Sequence, residues 1–304
     1  MSDTIGYSAT APARTRVRVG IYAELTKPRI TALVLVATAA GFGLGLQVDS
    51  TWAALPALLH TIVGTALVAA GANALNQCRE VEFDRLMRRT QSRPLPSGRM
   101  SVNEALGFGG AAGALGMIYL TTQVNVSAAL LAGMTLATYV FVYTPLKRAT
   151  STCVLVGAVS GALPPVIGWA AAGPLSIGAW LLFAILFFWQ LPHFAAIAWL
   201  HRDDYARAGY PMLPVIDPGG MRTDLHMMTH TAALLIASAL PVVYGLSGMA
   251  YAIGAMLLGL AFLGFSVHFV LRKSVESARW HLFASVIYLP LLLSLMLMDK
   301  LSLS

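Results

Sequence analysis

Three oxygen-bearing side chains recur at intervals of four residues in an otherwise apolar part of the sequence. They are Asn76, Glu80 and Asp84, and on an α-helix this spacing aligns them along one face, about 6 Å apart. Glu82 falls off that face. Oxygen ligands of this kind hold Mg²⁺ when a substrate phosphate completes its coordination shell. The spacing therefore predicts a magnesium site formed by Asn76, Glu80 and Asp84.

Arginines crowd the same stretch of sequence. Residues 73–99 contain six arginines: Arg79, Arg85, Arg88, Arg89, Arg93 and Arg99. Guanidinium groups match phosphate oxygens in charge and geometry, so the acids and bases together indicate a metal–pyrophosphate complex. The spacing alone is equally compatible with a solvated loop between membrane helices, in which the acids only balance the arginines.

The composition identifies the setting of this stretch as a membrane. Hydrophobic residues make up 57% of the 304 residues and charged residues 11%, with a mean hydropathy of +0.71. Runs of about 20 apolar residues span a bilayer as helices. The sequence predicts nine: 30–47, 53–76, 102–121, 126–144, 153–172, 177–198, 229–247, 250–271 and 281–298. The expected fold is an all-α integral membrane protein, a bundle of nine transmembrane helices.

The basic residues are distributed on one side of these nine predicted helices. If the helices alternate in direction, all of the 20 Lys and Arg residues except Lys300 fall on the same side. Positive residues favour the cytoplasmic side, which predicts a cytoplasmic N-terminus. The protein is expected to be a multi-pass protein of the cell inner membrane with its active site facing the cytoplasm. Its positive charge reports topology and contact with lipid, and nucleic acid is not an expected partner.

Two domains are predicted from the distribution of apolar residues. Residues 1–22 are polar and are expected to form a flexible cytoplasmic arm without a secretory signal. Residues 23–304 are expected to form the nine-helix membrane domain. Cys78 and Cys153 match no disulfide or metal-binding pattern, and both are interpreted as small residues kept reduced.

Proline and polar residues mark the fifth and sixth predicted helices as walls of a cavity. Pro164 and Pro165 lie in the middle of one helix, and Pro192 lies near the end of the next. Backbone groups that proline leaves unpaired in a membrane face neighbouring helices or a cavity. Gln190 and His193 flank Pro192, and polar side chains at membrane depth are candidates for function.

Three stretches resemble one known family. NQCREVEFDRLMRRTQSRPL resembles the first acidic motif of the intramembrane prenyltransferases, specifically of the protohaem IX farnesyltransferases (haem O synthases). YTPLKRATSTCVLVGAVSGALPPVIGW resembles their second signature, and FFWQLPHFAAIAWLHRDDYARAGYPMLPV their third. The resemblance covers residues 25–298. Cys153 is a departure, because the family usually has Asn at this position.

The resemblance implies a transferase that moves a farnesyl group to a haem vinyl group. Haem b, farnesyl diphosphate and water would be the substrates, Mg²⁺ the cofactor, and haem O and diphosphate the products, for the haem of haem–copper oxidases. The resemblance also implies that the protein lies in the lipid bilayer and associates with haem A synthase or oxidase assembly proteins.

The resemblance also implies roles for individual side chains. Arg93, Lys147 and Arg148 would add positive charge where the diphosphate leaves. Asp204 is the acid expected near the same rim, and with Asp84 and Lys147 it completes the predicted catalytic set. His193 is predicted to contact haem, since histidine is its commonest axial ligand, although a lone histidine at a helix end is usually a packing residue.

Two other functions compete with this interpretation. A sister prenyltransferase acting on a phenolic or chlorin acceptor would share the diphosphate site, but should differ around WQLPHF and LKRATS. A transporter or assembly factor without chemistry would be expected to carry acidic groups along a membrane path, whereas nearly all carboxylates here lie in or beside loops.

Overall fold

The computed structural model describes residues 11–46 and 54–301, and this part of the chain is helical. Its α-helices are α1 (Ala11–Leu25), α2 (Pro28–Gly45), α3 (Leu55–Leu86), α4 (Val102–Gln123), α5 (Val126–Ala137), α6 (Thr144–Leu146), α7 (Cys153–Ala162), α8 (Pro164–Ala172), α9 (Ile177–Leu200), α10 (Arg202–Arg207), α11 (Leu213–Ile216), α12 (Met221–Val243), α13 (Met249–Arg272) and α14 (Val275–Met298). A π-helical turn, Thr138–Tyr143, joins α5 to α6. Within the described residues, nine helical spans are long and apolar enough to cross a membrane. The all-α, nine-span prediction is confirmed.

The acidic stretch is itself helical, because α3 continues to Leu86 beyond the predicted end at residue 76. Its 32 residues correspond to roughly 48 Å of helix, whereas a bilayer core is about 30 Å thick. The C-terminal turns of α3 therefore extend past the length that a membrane needs. These turns carry the acidic series.

Capping residues and prolines explain several helix boundaries. Ser101 caps α4 by accepting a hydrogen bond from the Glu104 backbone N–H, a pattern that the sequence SVNE contains. The predicted span 153–172 is divided, since α7 ends at Ala162 and Pro164 begins α8. Proline is favoured in the first turn of a helix and disrupts a preceding one. Pro192, in contrast, lies inside a continuous α9.

Consecutive spans pack beside one another, and α2 lies against α8. The contact between α2 and α8 depends on two glycines. A Cβ atom at Gly41 would lie 1.9 Å from the Pro165 carbonyl oxygen, and one at Gly168 would lie 1.9 Å from the Thr38 carbonyl oxygen. Small residues permit such close approach of helices in membranes. The last span, α14, contacts α2 and α9.

Large apolar side chains cover the outside of this bundle. Examples that are more than half exposed lie on four different spans: Leu115, Leu130, Val243 and Leu257. In water such a surface would be unfavourable, so it is the surface that faces lipid.

The second half of the predicted flexible N-terminal arm is helical in the structure. Residues 11–25 form α1, whereas residues 1–10 lie outside the described residues. Leu25 is fully buried, and the Tyr22 hydroxyl donates a hydrogen bond to Glu104 at 2.7 Å. These contacts attach the end of α1 to α4.

Candidate active site

Asn76, Glu80 and Asp84 lie along one buried face of α3, as their spacing predicts. Their exposed fractions are 1%, 3% and 1% respectively. Glu82 is on another face, where its side chain is 70% exposed and pairs with Arg85. Two carboxylates are thus removed from water on the buried face of this helix. Such burial is unfavourable unless the charges are compensated.

A cation compensates each buried carboxylate. Lys147 Nζ lies 3.0 Å from Glu80 Oε1, and Arg93 Nη1 lies 2.8 Å from Asp84 Oδ2. Burial disfavours the charged ammonium of Lys147, but the Glu80 carboxylate and the surrounding tyrosines together outweigh this effect, and the pKa of Lys147 lies well above its ordinary value. The structure therefore brings together four residues that the sequence selected for diphosphate chemistry.

Lys27 is a third cation at this face and was interpreted from the sequence only as a topology charge. Its Nζ donates a hydrogen bond to Asn76 Oδ1 at 2.7 Å, and Asn76 Nδ2 donates to Thr144 Oγ1 at 3.0 Å. Lys27 separates α1 from α2 in a left-handed conformation, with φ of 51°. Burial and the nearby Arg93 guanidinium lower the pKa of Lys27 to about 7. Its position directly before Pro28, just ahead of the first predicted span, is the signal available in the sequence.

The π-helical turn supplies two aromatic rings next to Asn76. The Tyr139 hydroxyl donates to Asn76 Oδ1 at 3.2 Å. Tyr143 stacks on Tyr139 with ring centroids 5.6 Å apart. π-Helical turns often occur at functional sites, and both stacked rings belong to this one. The contact between Tyr139 and Asn76 was not predicted from the sequence.

Asp204 lies on α10 and binds the loop that follows α3. Its carboxylate accepts hydrogen bonds from the backbone N–H groups of Arg88 at 3.1 Å and Arg89 at 3.4 Å, and it pairs with Arg207. Burial opposes its charged form, but the Arg88 and Arg89 N–H groups, together with Arg207 and His201, outweigh burial and hold the pKa of Asp204 below its usual value. Its contacts are thus with the loop backbone rather than with the acidic face of α3.

Arg148 is also placed apart from the acidic face of α3. Its side chain is exposed, its guanidinium lies 4.3 Å from the Phe83 ring centroid, and it donates to the Arg79 carbonyl oxygen. Lys147 and Arg148 are adjacent in sequence, but only Lys147 is buried among the acids. The two predicted cations therefore occupy different environments.

His193 is half-buried on α9. Its Nδ1 lies 2.7 Å from Ser285 Oγ, and its ring stacks on Trp189 with centroids 4.9 Å apart. Histidines that bind metals usually hold their second nitrogen in such a hydrogen bond, so Nε2 remains for a ligand. Gln190, the other predicted polar residue, donates to the Leu186 carbonyl oxygen and packs between helices.

The acidic face of α3 offers oxygen donors of the kind that Mg²⁺ prefers. Within the described residues, no three His, Cys, Asp or Glu side chains converge closely enough to form a metal site by themselves. Asp84 Oδ1 is nevertheless buried without a hydrogen-bond partner in that part of the chain. Mg²⁺ uses one or two protein carboxylates together with substrate phosphates and water. The donor set of Asn76, Glu80 and Asp84 therefore fits Mg²⁺ that a diphosphate helps to bind.

The chain is similar in sequence to known enzymes. Residues 34–287 match the profile of the UbiA prenyltransferase family. A protoheme IX farnesyltransferase of Solibacter usitatus is 49% identical over 286 residues, which cover 92% of this chain and 98% of that protein. The protein of the same name from Salinibacter ruber is 43% identical, covering 91% and 98%. The mitochondrial one of Arabidopsis thaliana is 39% identical, covering 92% of this chain and 65% of that protein.

Solved structures share the fold. A structure of digeranylgeranylglyceryl phosphate synthase has a TM-score of 0.76 at 18% identity and covers 92% of this chain and 98% of the other. A UbiA homologue from Archaeoglobus fulgidus bound to GPP and Mg²⁺ has a TM-score of 0.64 at 17% identity, covering 91% and 99%. The chain therefore belongs to the UbiA prenyltransferase family, where its sequence groups with the protoheme IX farnesyltransferases.

Proposed function

We propose that the protein transfers the farnesyl group of farnesyl diphosphate to a vinyl group of protohaem IX, with water as the third substrate. The observation that carries this proposal is the buried face of α3, where two carboxylates and an amide meet three cations. Relatives named protoheme IX farnesyltransferase, at 39–49% identity over most of this chain, support the choice of donor and acceptor.

The first step of the reaction breaks the allylic C–O bond, whose electron pair remains on the diphosphate. Mg²⁺ held by Asn76, Glu80 and Asp84 would neutralise that charge and orient the leaving group. Lys147 and Arg93 lie beside the same carboxylates. When diphosphate binds, each would donate hydrogen bonds to phosphate oxygens as well. Fixed positive charge at this position stabilises the transition state more than the bound substrate, because the negative charge on the diphosphate increases as the bond breaks.

The acceptor step forms a bond between the farnesyl carbon and the terminal vinyl carbon. The resulting positive charge lies on the carbon next to the pyrrole, which delocalises it. Water adds to that carbon and then releases a proton, so the product carries farnesyl and a hydroxyl group. We assign haem contact to His193 through Nε2, and positive charge at the rim to Arg148.

Asp204 is proposed as a positioning residue of the same site. Its hydrogen bonds to the Arg88 and Arg89 backbone hold the loop that leads to Arg93. The expectation that Asp204 serves the diphosphate metals or orients water stays a prediction. We further propose a multi-pass protein of the inner membrane with a cytoplasmic site, associated with haem A synthase or oxidase assembly proteins.

Product analysis tests the proposed function. Purified protein incubated with haem b, farnesyl diphosphate and Mg²⁺ should yield haem with the added mass of farnesyl and hydroxyl groups. In ¹⁸O-labelled water the new hydroxyl should carry the label. An unlabelled product would contradict the mechanism, and prenylation of a phenol or chlorin but not haem would favour a sister prenyltransferase.

A further inference from the structure

Tyr210 lies in the loop between α10 and α11 and contacts the cation that pairs with Glu80. Its side chain is fully buried. Lys147 Nζ lies 4.6 Å from the centroid of its ring, and Phe83 of α3 lies 5.2 Å from it, centroid to centroid. A ring in this position fixes the ammonium from one side by a cation–π interaction. Tyr210 is thus part of the wall around Lys147.

The Tyr210 hydroxyl has no hydrogen-bond partner among the residues that the structure describes. Two other buried tyrosines provide a contrast, because the Tyr251 hydroxyl donates to the Ser238 carbonyl oxygen and the Tyr288 hydroxyl bonds Ser238 Oγ, both at 2.8 Å. Buried phenols normally find such partners. Tyr210 is the exception among these three, and it lies beside Lys147.

A buried polar atom on α3, one helical turn after the Glu80 that pairs with Lys147, also lacks a partner among the described residues. It is Asp84 Oδ1, on the face of α3 that fits Mg²⁺. Burial, followed by the charges of Glu80 and Asp84, raises the pKa of Tyr210, so its hydroxyl keeps its proton at neutral pH. The hydroxyl is then a hydrogen-bond donor without a partner among the described residues, in a ring that lies beside Lys147.

We propose that the Tyr210 hydroxyl donates a hydrogen bond to the diphosphate of the prenyl substrate. This inference rests on the proposed function and adds a catalytic residue to it. When the C–O bond breaks, its electron pair stays on the diphosphate oxygen, and the bond from Tyr210 strengthens as that charge develops. Tyr210 keeps its proton throughout, so no further reactant is required.

The variant Tyr210→Phe tests this role because it removes the hydroxyl and keeps the ring over Lys147. A hydrogen bond to a charged group corresponds to about a 10- to 100-fold effect. We therefore expect kcat to fall about 10- to 100-fold and the affinity for inorganic diphosphate with Mg²⁺ to weaken, with KM for haem unchanged. 4-Aminophenylalanine at position 210 restores a donor and should recover much of the loss.

Tyr205→Phe is the matched control, since Tyr205 belongs to the same buried cluster but its ring lies 5.9 Å from Lys147 Nζ. It should leave kcat within about twofold. Wild-type kcat and diphosphate affinity in Tyr210→Phe would overturn the proposal. The proposal would also be overturned if Tyr210→Phe lowered thermal stability while each folded molecule kept full kcat. Failure of 4-aminophenylalanine at position 210 to restore kcat would overturn it as well.

The diphosphate measurement separates this inference from the proposed function. Binding of inorganic diphosphate and Mg²⁺, followed by calorimetry on the detergent-solubilised full chain, needs no haem. If the wild-type protein binds diphosphate through Tyr210 but does not modify haem, the proposed acceptor is wrong and the role of Tyr210 stands. If haem is farnesylated equally by the wild type and Tyr210→Phe, only the role of Tyr210 is wrong.

Discussion

Asp84 has one carboxylate oxygen bound to Arg93, and its other oxygen is unpaired within the described part of the chain. Asp84→Asn keeps the size of the side chain and removes the charge that would hold Mg²⁺. Because a metal contributes several kcal/mol of charge stabilisation, we expect kcat to fall by about 10³-fold. Steady-state turnover of farnesyl diphosphate at saturating Mg²⁺ measures this.

Glu82→Gln is the control for Asp84→Asn, since Glu82 lies on the same helix but is exposed beside Arg85. An exposed pair of this kind contributes little, so turnover should be nearly that of the wild type. Asp84→Asn with wild-type turnover would remove Asp84 from the metal site.

His193 is predicted to bind haem iron through Nε2 while Ser285 holds Nδ1. His193→Ala should weaken haem binding and shift the Soret band of the haem-bound protein, because the axial ligand sets the electronic structure of the iron. His60→Ala is the control: His60 bonds the Tyr119 hydroxyl at 2.8 Å near the start of α3, far from the acidic series. If the spectrum and affinity of His193→Ala match those of the wild type, His193 is a packing residue.

The alignment of side chains on one helix face was predictable from the sequence. Contacts between residues that lie far apart in the chain were not. A period of four residues places Asn76, Glu80 and Asp84 on one face whatever surrounds them. Lys27 reaches Asn76 across 49 positions, and this pairing depends on how α2 packs against α3. Tyr210 lies in an irregular loop, where no periodicity indicates which way a ring points.

At the scale of elements, apolar runs predicted the existence of the spans better than their ends. A hydropathy pattern ends where charges begin, so α3 was expected to stop at residue 76, although buried ion pairs let the helix continue to Leu86. The π-helical turn Thr138–Tyr143 has no sequence signature of its own. Helix breaks at Pro164 and continuity at Pro192 likewise depend on neighbouring helices.

Close packing of α2 on α8 predicts the effect of adding one methyl group. In Gly41→Ala the new Cβ would meet the Pro165 carbonyl oxygen, a backbone atom that cannot move alone. Overpacking of this kind costs about 1–3 kcal/mol, so the thermal unfolding temperature in detergent should fall. Gly110→Ala is the control, since nothing lies within 4 Å of its Cβ position. Equal unfolding temperatures for the two variants would contradict the α2–α8 contact.

For the whole molecule, the uneven distribution of charge predicts its orientation in the membrane. With the nine spans of the described residues alternating in direction, all Lys and Arg residues except Lys300 lie at one end of the bundle, together with the acidic face of α3. Because positive residues are retained in the cytoplasm, this distribution predicts that the N-terminus and the diphosphate site lie on the cytoplasmic side. Charged substrates would reach the site from the cytoplasm, while apolar substrates enter from the bilayer.

Reporter fusions test this orientation directly. Fusions after residues 49, 124 and 247 should report the external side, since each position follows an odd number of spans. Fusions after residues 95 and 215 follow an even number, and should report the cytoplasm. Because the positive-inside rule acts on the short loops beside each span, moving basic residues of the 77–101 segment to the 122–126 segment should weaken this pattern. A cytoplasmic signal at 49, 124 or 247 in the unaltered chain would contradict the predicted topology and the cytoplasmic location of the site.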